Sequence, residues 1–171
     1  MDRGAPVTID IRPLRLSDCK NIGPMLREIW LDAYHGIQTD EELLAQSRKV
    51  HTPEQIAEEI DDPNIHSIVA VSNDRIIGHA RSDLNDGVVE IARLYVLREF
   101  YGQGIGKALL REVDSYFDPK YEVWIEVFED NKRAVNFYLS QGYQIMRRAT
   151  EVQTEGRDVF EYKMRKQRMG V

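Results

Sequence analysis

The sequence predicts an α/β (α+β) fold, in which helices flank a single mixed, mostly antiparallel sheet of about seven strands. Two observations predict it: several short segments alternate apolar and polar residues as strands do, and others repeat apolar residues at helical spacing. One helical segment between two strands near the middle of the chain predicts a parallel pair within the sheet. The predicted order is β-α-α-β-β-β-α-β-α-β-β.

The N-terminal part begins with a strand and two helices. The first strand is the alternating segment VTIDIRPL. Apolar residues then recur at helical spacing over 22–33, although Pro24 is expected to bend or delay this helix. A second, acidic helix is expected over 52–60, with Thr52 as its N-cap and a proline in its first turn.

The rest of the chain is mostly strands. HSIVAVSNDRIIGHARSDL predicts two strands joined by a turn at 72–74, and VVEIARLYVL predicts a third strand after a turn at 85–87. A helical stripe over 105–117 precedes the strand YEVWIEVF and a short helix. The segments YQIMRRATEVQ and RDVFEYKM close the chain as a hairpin around 154–156.

Length and composition indicate one folded domain over residues 1–171. The net charge of −6 argues against nucleic acid as the ligand and is compatible with a cationic small molecule. No apolar run approaches the ~20 residues of a membrane span, and the N-terminus lacks a signal-peptide core. We therefore expect no membrane partner and a cytoplasmic location.

Cysteine and histidine usage predicts neither a disulfide nor a metal site. The lone cysteine, Cys19, cannot form an internal disulfide and is expected to be a structural thiol. His51, His66 and His79 lack the spacing of metal ligands.

A glycine-rich stretch, YGQGIGKALL, lies between a predicted strand end and a predicted helix start. Free backbone N–H groups and the helix dipole make this position favourable for an anion, and glycine lets a phosphate approach the chain closely. The spacing matches neither a P-loop, because Lys107 is followed by Ala108, nor the G-x-G-x-x-G dinucleotide fingerprint. We expect a phosphate-bearing ligand that is neither a magnesium nucleotide nor NAD.

Two motifs resemble those of the GNAT superfamily of acetyl-CoA-dependent N-acyltransferases, and the resemblance to this family runs over nearly the whole chain. The family motif Q/R-x-x-G-x-G/A corresponds to residues 101–106, although Tyr101 stands where the family prefers Gln or Arg. The motif N-x-x-A-x-x-F-Y-x-x-x-G-F/Y corresponds to residues 131–143.

The resemblance implies that acetyl-CoA is the cofactor and that its pantetheine arm pairs with the strand before the glycine loop. A backbone N–H of that strand would polarise the thioester carbonyl. The implied cofactor-binding residues are Leu94, Tyr95, Val96, Tyr101, Gly102, Gln103, Gly104, Ile105, Gly106, Lys107, Asn131 and Tyr138. Asn131 also qualifies as a helix N-cap, which would need no ligand.

The resemblance also implies direct attack by an amine, which needs two proton transfers. Glu90, where several family members carry a glutamate, is the candidate base, directly or through water, and it is expected to share a strand face with Leu94. A cross-strand ion pair is its structural alternative, and Glu126 is the reserve base. Tyr138 is the candidate donor to the departing thiolate.

Acceptor choice is expected to depend on the first two helices. Trp30, Tyr34 and His35 form a cluster able to bind an amine by cation–π contact, although burial in the core also explains Trp30. The cluster resembles family members that acetylate polyamines, so a polyamine or other small cationic amine is favoured over a protein N-terminus or lysine. A catalytically silent acyl-CoA sensor is the alternative from another class. The oligomeric state stays open; homodimers are common in the family.

Overall fold

The computed structural model describes residues 8–154 and 157–166, which form one sheet with helices on both of its faces. The strands are β1 (Ile9–Pro13), β2 (Ile65–Ser72), β3 (Arg75–Asn85), β4 (Val88–Val96), β5 (Glu122–Phe128), β6 (Tyr143–Thr154) and β7 (Arg157–Lys166). The helices are α1 (Cys19–Ala33), α2 (Asp40–Val50), α3 (Pro53–Glu58), α4 (Ile105–Asp114) and α5 (Lys132–Ser140).

The strand order in the sheet is β1-β2-β3-β4-β5-β7-β6, and its pairs are antiparallel except for β4 with β5. α4 connects those two strands, as the sequence predicts for the one parallel pair. The predicted turns after β2 and β3 are present, because Asn73, Asp74, Asp86 and Gly87 all have positive φ angles. The predicted fold class is confirmed.

The helices cover opposite faces of the sheet. α4 covers the face to which Gly78 of β3 points, because a Cβ on Gly78 would lie 3.1 Å from the Leu109 side chain. The next residue, His79, points to the other face. Its β4 partner Tyr95 bonds there to Tyr34 at the end of α1. We call these two surfaces the α4 face and the α1 face.

Two details differ from the sequence prediction, and a third is not described. α2 was not predicted, although Thr39 and Glu42 form the capping box that begins it. Of the two expected effects of Pro24, the delay was wrong, because α1 begins at Cys19 and contains Pro24; the bend stays a prediction. Pro24 is the sixth residue of α1, so it removes one internal hydrogen bond of the helix, while the burial of Ile22, Leu26 and Ile29 holds the helix against the core. The tip of the predicted β6–β7 hairpin lies at 155–156, outside the described residues.

A buried carboxylate anchors the end of α3 to the sheet. The Glu59 side chain is 2% exposed and forms ion pairs with Arg81 and Arg93 on the α1 face. Its other oxygen accepts a 2.9 Å hydrogen bond from Ser67, whose hydroxyl also lies 3.0 Å from Nε2 of His79. Three strands are therefore linked through one side chain.

Cys19 is buried at the start of α1, and burial raises the pKa of its thiol. This agrees with the expected structural role. Of the helices in 8–154 and 157–166, none is long and apolar enough to cross a membrane.

Candidate active site

β4 and β5 diverge and open a cleft in the middle of the sheet. They pair only over Val88–Glu90 with Glu122–Trp124. Beyond that point, within the described ranges, no strand pairs with this edge of β4. Those backbone N–H and C=O groups of residues 91–96 that point away from β3 therefore face the cleft without a ladder partner, so an extended ligand could pair with them.

A β-bulge at Ala92 changes the face on which Glu90 lies. Arg93 pairs with Arg81 and Ile91 with Ser82, so Ala92 is the extra residue on β4. Glu90 consequently lies on the α1 face with Arg93. The expectation that Glu90 shares a face with Leu94 was wrong, because a bulge shifts the period-2 alternation by one residue.

The glycine loop leads from the end of β4 into α4. Gly102 and Gly104 have φ angles of 76° and 77°, which L side chains rarely adopt, and Gly104 is the N-cap of α4. A Cβ at either glycine would meet no atom within 4 Å, so the space above the loop is open. The first N–H groups of α4 and the exposed Lys107 therefore form a surface suited to an anion.

A cavity of about 1120 Å³ joins the cleft to this loop. It brings together most of the predicted cofactor-binding residues. These are Leu94, Tyr95, Val96, Tyr101, Gly102, Gly104, Ile105, Gly106, Lys107, Asn131 and Tyr138. Gln103 is exposed and is not among the lining residues. Asn131 is the predicted N-cap of α5, since its side-chain oxygen accepts a 3.2 Å bond from the N–H of Ala134.

Three tyrosines line the centre of the cavity. The hydroxyls of Tyr34 and Tyr95 lie 2.9 Å apart, and Tyr138 is 5% exposed. Burial raises the pKa of all three phenols, most strongly for Tyr34 and Tyr138. Each hydroxyl therefore keeps its proton at neutral pH and can donate a hydrogen bond.

On the α1 face the cavity wall carries two glutamates and a phenylalanine, beside Arg93, which Glu59 neutralises. Glu126 and Phe128 are two positions apart on β5 and therefore point to the same face. Glu161 is the β7 partner of Phe128, so it shares that face. The ring of Phe128 packs edge-to-face against Tyr34, with ring centres 5.2 Å apart. Glu126 forms an ion pair with Lys163, and its side chain is 40% exposed. Carboxylates and aromatic faces together suit a cation.

Besides Gln103, three predicted site residues lie outside the cavity wall. Trp30 packs edge-to-face on Tyr34 and on His51, with ring centres 5.8 and 4.7 Å apart, so it supports Tyr34 from behind. His35 and Glu90 are exposed and are not among the lining residues. Burial lowers the pKa of His51 to about 4, so this ring is neutral at pH 7.

Several lining residues were not singled out from the sequence. Phe128 and Glu161 become visible only when the pairing of β5 with β7 is known. Arg133 also lines the cavity, and its guanidinium lies over the ring of Tyr101. Arg133 lies within the second sequence motif, at residues 131–143, and this position could have identified it as a candidate cofactor-binding residue.

In the part of the chain that the structure describes, no group of three or more histidine, cysteine, aspartate or glutamate side chains could hold a metal ion. The cavity instead offers backbone groups, hydroxyls and charged side chains. Such a site can position a thioester and an amine and move protons.

Comparisons with known proteins point to the same chemistry. The model of the acetyltransferase (GNAT) family matches residues 24–143. A spermidine N(1)-acetyltransferase of Thermoplasma acidophilum is 26% identical over 145 residues, which cover 81% of this chain and 90% of that protein. An uncharacterized N-acetyltransferase of Mycobacterium tuberculosis is 33% identical over 96 residues, 53% of this chain and 60% of that one.

Solved structures share the fold. PaiA N-acetyltransferase of Thermoplasma acidophilum, crystallised in complex with coenzyme A, superposes with a TM-score of 0.81 at 26% identity, covering 94% of this chain and 99% of that one. Ribosomal-protein-alanine N-acetyltransferase of Brucella melitensis has a TM-score of 0.71 at 22% identity, covering 92% and 98%. The latter likeness shows the fold alone.

Proposed function

The chain belongs to the acetyltransferase (GNAT) family, and from this membership we propose that it acetylates a small cationic primary amine, with a polyamine as the favoured acceptor. It is an acetyl-CoA-dependent N-acetyltransferase. The observation that carries the proposal is the cleft between β4 and β5, which opens beside a glycine loop at the start of α4.

The residues present fit acetyl-CoA. The phosphates need donors and a backbone without side chains in the way, which Gly102, Gly104 and the first turn of α4 offer. The arm needs a strand edge with free backbone groups, and residues 91–96 of β4 offer one. These features support the assignment of the loop and of β4 to the cofactor.

When bound, acetyl-CoA supplies an acetyl thioester, whose carbonyl carbon the amine attacks while the C–S bond breaks. We expect a backbone N–H of β4 to donate to the carbonyl oxygen as negative charge develops on it. We expect the Tyr138 hydroxyl to donate a hydrogen bond to the departing sulfur, because burial raises the pKa of this phenol and keeps it protonated. No acyl-enzyme is needed.

The proton of the amine needs an acceptor. Glu126 is favoured by its position on the cavity wall and by its 40% exposure, through which the proton can pass on to water. Glu90 lies outside the wall, so as a base it would act through water. Its role stays a prediction.

The charge of the cavity supports a cationic acceptor. On the α1 face, Glu126 and Glu161 flank Phe128. Lys107 and Arg133 lie at the opposite end, on α4 and α5, and suit the cofactor phosphates. A polyamine would meet the carboxylates of Glu126 and Glu161 away from the residues that suit the cofactor phosphates. The spermidine acetyltransferase among the relatives agrees with this choice.

The test is thiol release from acetyl-CoA with a panel of acceptors: spermidine, spermine, an amino sugar, free amino acids and short peptides, with product masses measured in parallel. We expect selective turnover of the polyamines. The matched variants are Glu126→Gln and Glu122→Gln, because both glutamates lie on the same face of β5 and form ion pairs with β7. Only Glu126 lines the cavity, so only Glu126→Gln should lower kcat/KM for spermidine.

Other outcomes would select the alternatives. Turnover of peptides alone would indicate a protein N-terminal or lysine acetyltransferase. Binding of acetyl-CoA with no turnover of any acceptor would favour the acyl-CoA sensor.

A further inference from the structure

Arg133 and Tyr101 form a stacked pair at the phosphate end of the cavity. The guanidinium carbon of Arg133 lies 3.2 Å from the centre of the Tyr101 ring, within the range of a cation–π contact. Tyr101 directly precedes Gly102, and Arg133 is the second residue of α5. The pair therefore connects the glycine loop to the helix on the other side of the cavity.

The charge of Arg133 is not matched by a carboxylate in the parts of the chain that the structure describes. No ion pair of Arg133 or of Lys107 is found there, whereas Arg98, also on the cavity wall, pairs with Asp32 at 2.7 Å. Arg133 is also exposed. Stacking uses the flat face of a guanidinium and leaves its N–H edge available for two parallel bonds to a phosphate.

We propose that Arg133, held in position by Tyr101, binds a phosphate group of acetyl-CoA and replaces the side-chain contact that Gln or Arg at position 101 would make. This inference rests on the proposed function, since it needs acetyl-CoA in the cavity. It gives Tyr101 a positioning role: the ring orients a cation that comes from another part of the chain.

Affinity for coenzyme A, measured by titration calorimetry at fixed ionic strength, tests the contact. Arg133→Gln should raise Kd about 10- to 100-fold, as expected for loss of a charge-assisted contact. Arg133→Lys should recover only part of the affinity, because an ammonium group makes no bidentate fork. The matched control is Lys132→Gln: Lys132 is exposed on the same helix turn but is not among the lining residues, so Kd should change less than about twofold.

A second background tests the role of Tyr101. In a Tyr101→Arg protein, the new guanidinium can bind the phosphate in place of Arg133. Adding Arg133→Gln to this protein should therefore raise Kd for coenzyme A less than about threefold. An equal loss in both backgrounds would overturn the replacement. An unchanged Kd for Arg133→Gln in the parent would overturn the contact itself. If Kd rises, the melting temperature of the free variant should equal that of the parent, which excludes misfolding as the cause of the weaker binding.

The phosphate can be identified with 3′-dephospho-CoA. A loss of affinity for coenzyme A alone would assign Arg133 to the 3′-phosphate, and an equal loss for both ligands would assign it to the pyrophosphate; either supports the inference. Failure of the parent protein to bind coenzyme A would instead contradict the proposed function, so the two failures are distinguishable.

Discussion

Replacing Glu59 by glutamine should destabilise the protein strongly, because Glu59 is the carboxylate that neutralises two arginines on the α1 face. The Glu59, Arg81 and Arg93 side chains are 2%, 19% and 11% exposed, so water can compensate little of the lost charge. Glutamine keeps the shape and can still accept the hydrogen bond of Ser67. The glutamine NH2 then replaces the oxygen that accepts from Arg81 and Arg93, so the change removes both the charge and that acceptor.

The expected loss of unfolding free energy depends on which ion pairs each arginine retains after the substitution. Arg81 retains two bonds to Asp83, of 2.6 and 2.7 Å, and remains paired. Within residues 8–154 and 157–166, Arg93 has no second ion pair and would become a largely buried, unpaired cation. Breaking one buried pair in this way costs about 3 kcal/mol in the free energy of unfolding.

Urea unfolding at neutral pH measures this cost. Glu58→Gln is the control, because Glu58 is the exposed last residue of α3, directly before Glu59, and its replacement should cost less than about 0.5 kcal/mol. Adding Arg93→Met to Glu59→Gln should restore part of the stability, since it removes the unpaired charge. Equal midpoints for Glu59→Gln and the parent would refute the reasoning and mean that the cluster is solvated.

Three further predictions concern the site and its supports. Tyr138→Phe should lower kcat about a hundredfold with KM for acetyl-CoA unchanged. The control is Tyr116→Phe, at an exposed tyrosine outside the cavity wall, which should leave kcat unchanged. An undiminished kcat for Tyr138→Phe would show that Tyr138 is not the donor to the departing sulfur. Gly104→Ala and Gly36→Ala should each cost about 1 kcal/mol in unfolding free energy, because both glycines have positive φ and open space at Cβ. Only the first should weaken coenzyme A binding; equal affinities would argue against the phosphate loop. Because the pKa of His51 falls from 6.5 to about 4 on folding, the unfolded chain binds more protons between those values, so stability should fall as pH drops from 6.5 to 4. His51→Gln should flatten this slope in urea unfolding at several pH values, and a slope equal to the parent's would contradict it.

Local sequence signals predicted those parts of the fold that depend on few residues. The turns at Asn73-Asp74 and Asp86-Gly87, the glycine loop and the Asn131 cap follow from the chemistry of single residues. α2 was predictable too, since Thr39 and Glu42 carry the capping-box spacing.

Other features depend on partners distant in the chain. The bulge at Ala92 exists only in the register of β4 with β3, and it moves Glu90 to the other face. The pair of glutamates on the cavity wall needs β5 to pair with β7, which brings Glu161 beside Phe128. The stacking of Arg133 on Tyr101 joins two segments that no periodicity relates.

Initial rates of acetyl transfer to spermidine, measured while acetyl-CoA and spermidine are both varied, test the central claim most directly. Direct attack within a ternary complex predicts N-acetylated spermidine as product and double-reciprocal lines that intersect. Parallel lines would indicate an acyl-enzyme, which contradicts direct attack. The absence of acetylated spermidine, in a protein that binds acetyl-CoA, would contradict the assignment of a polyamine acceptor.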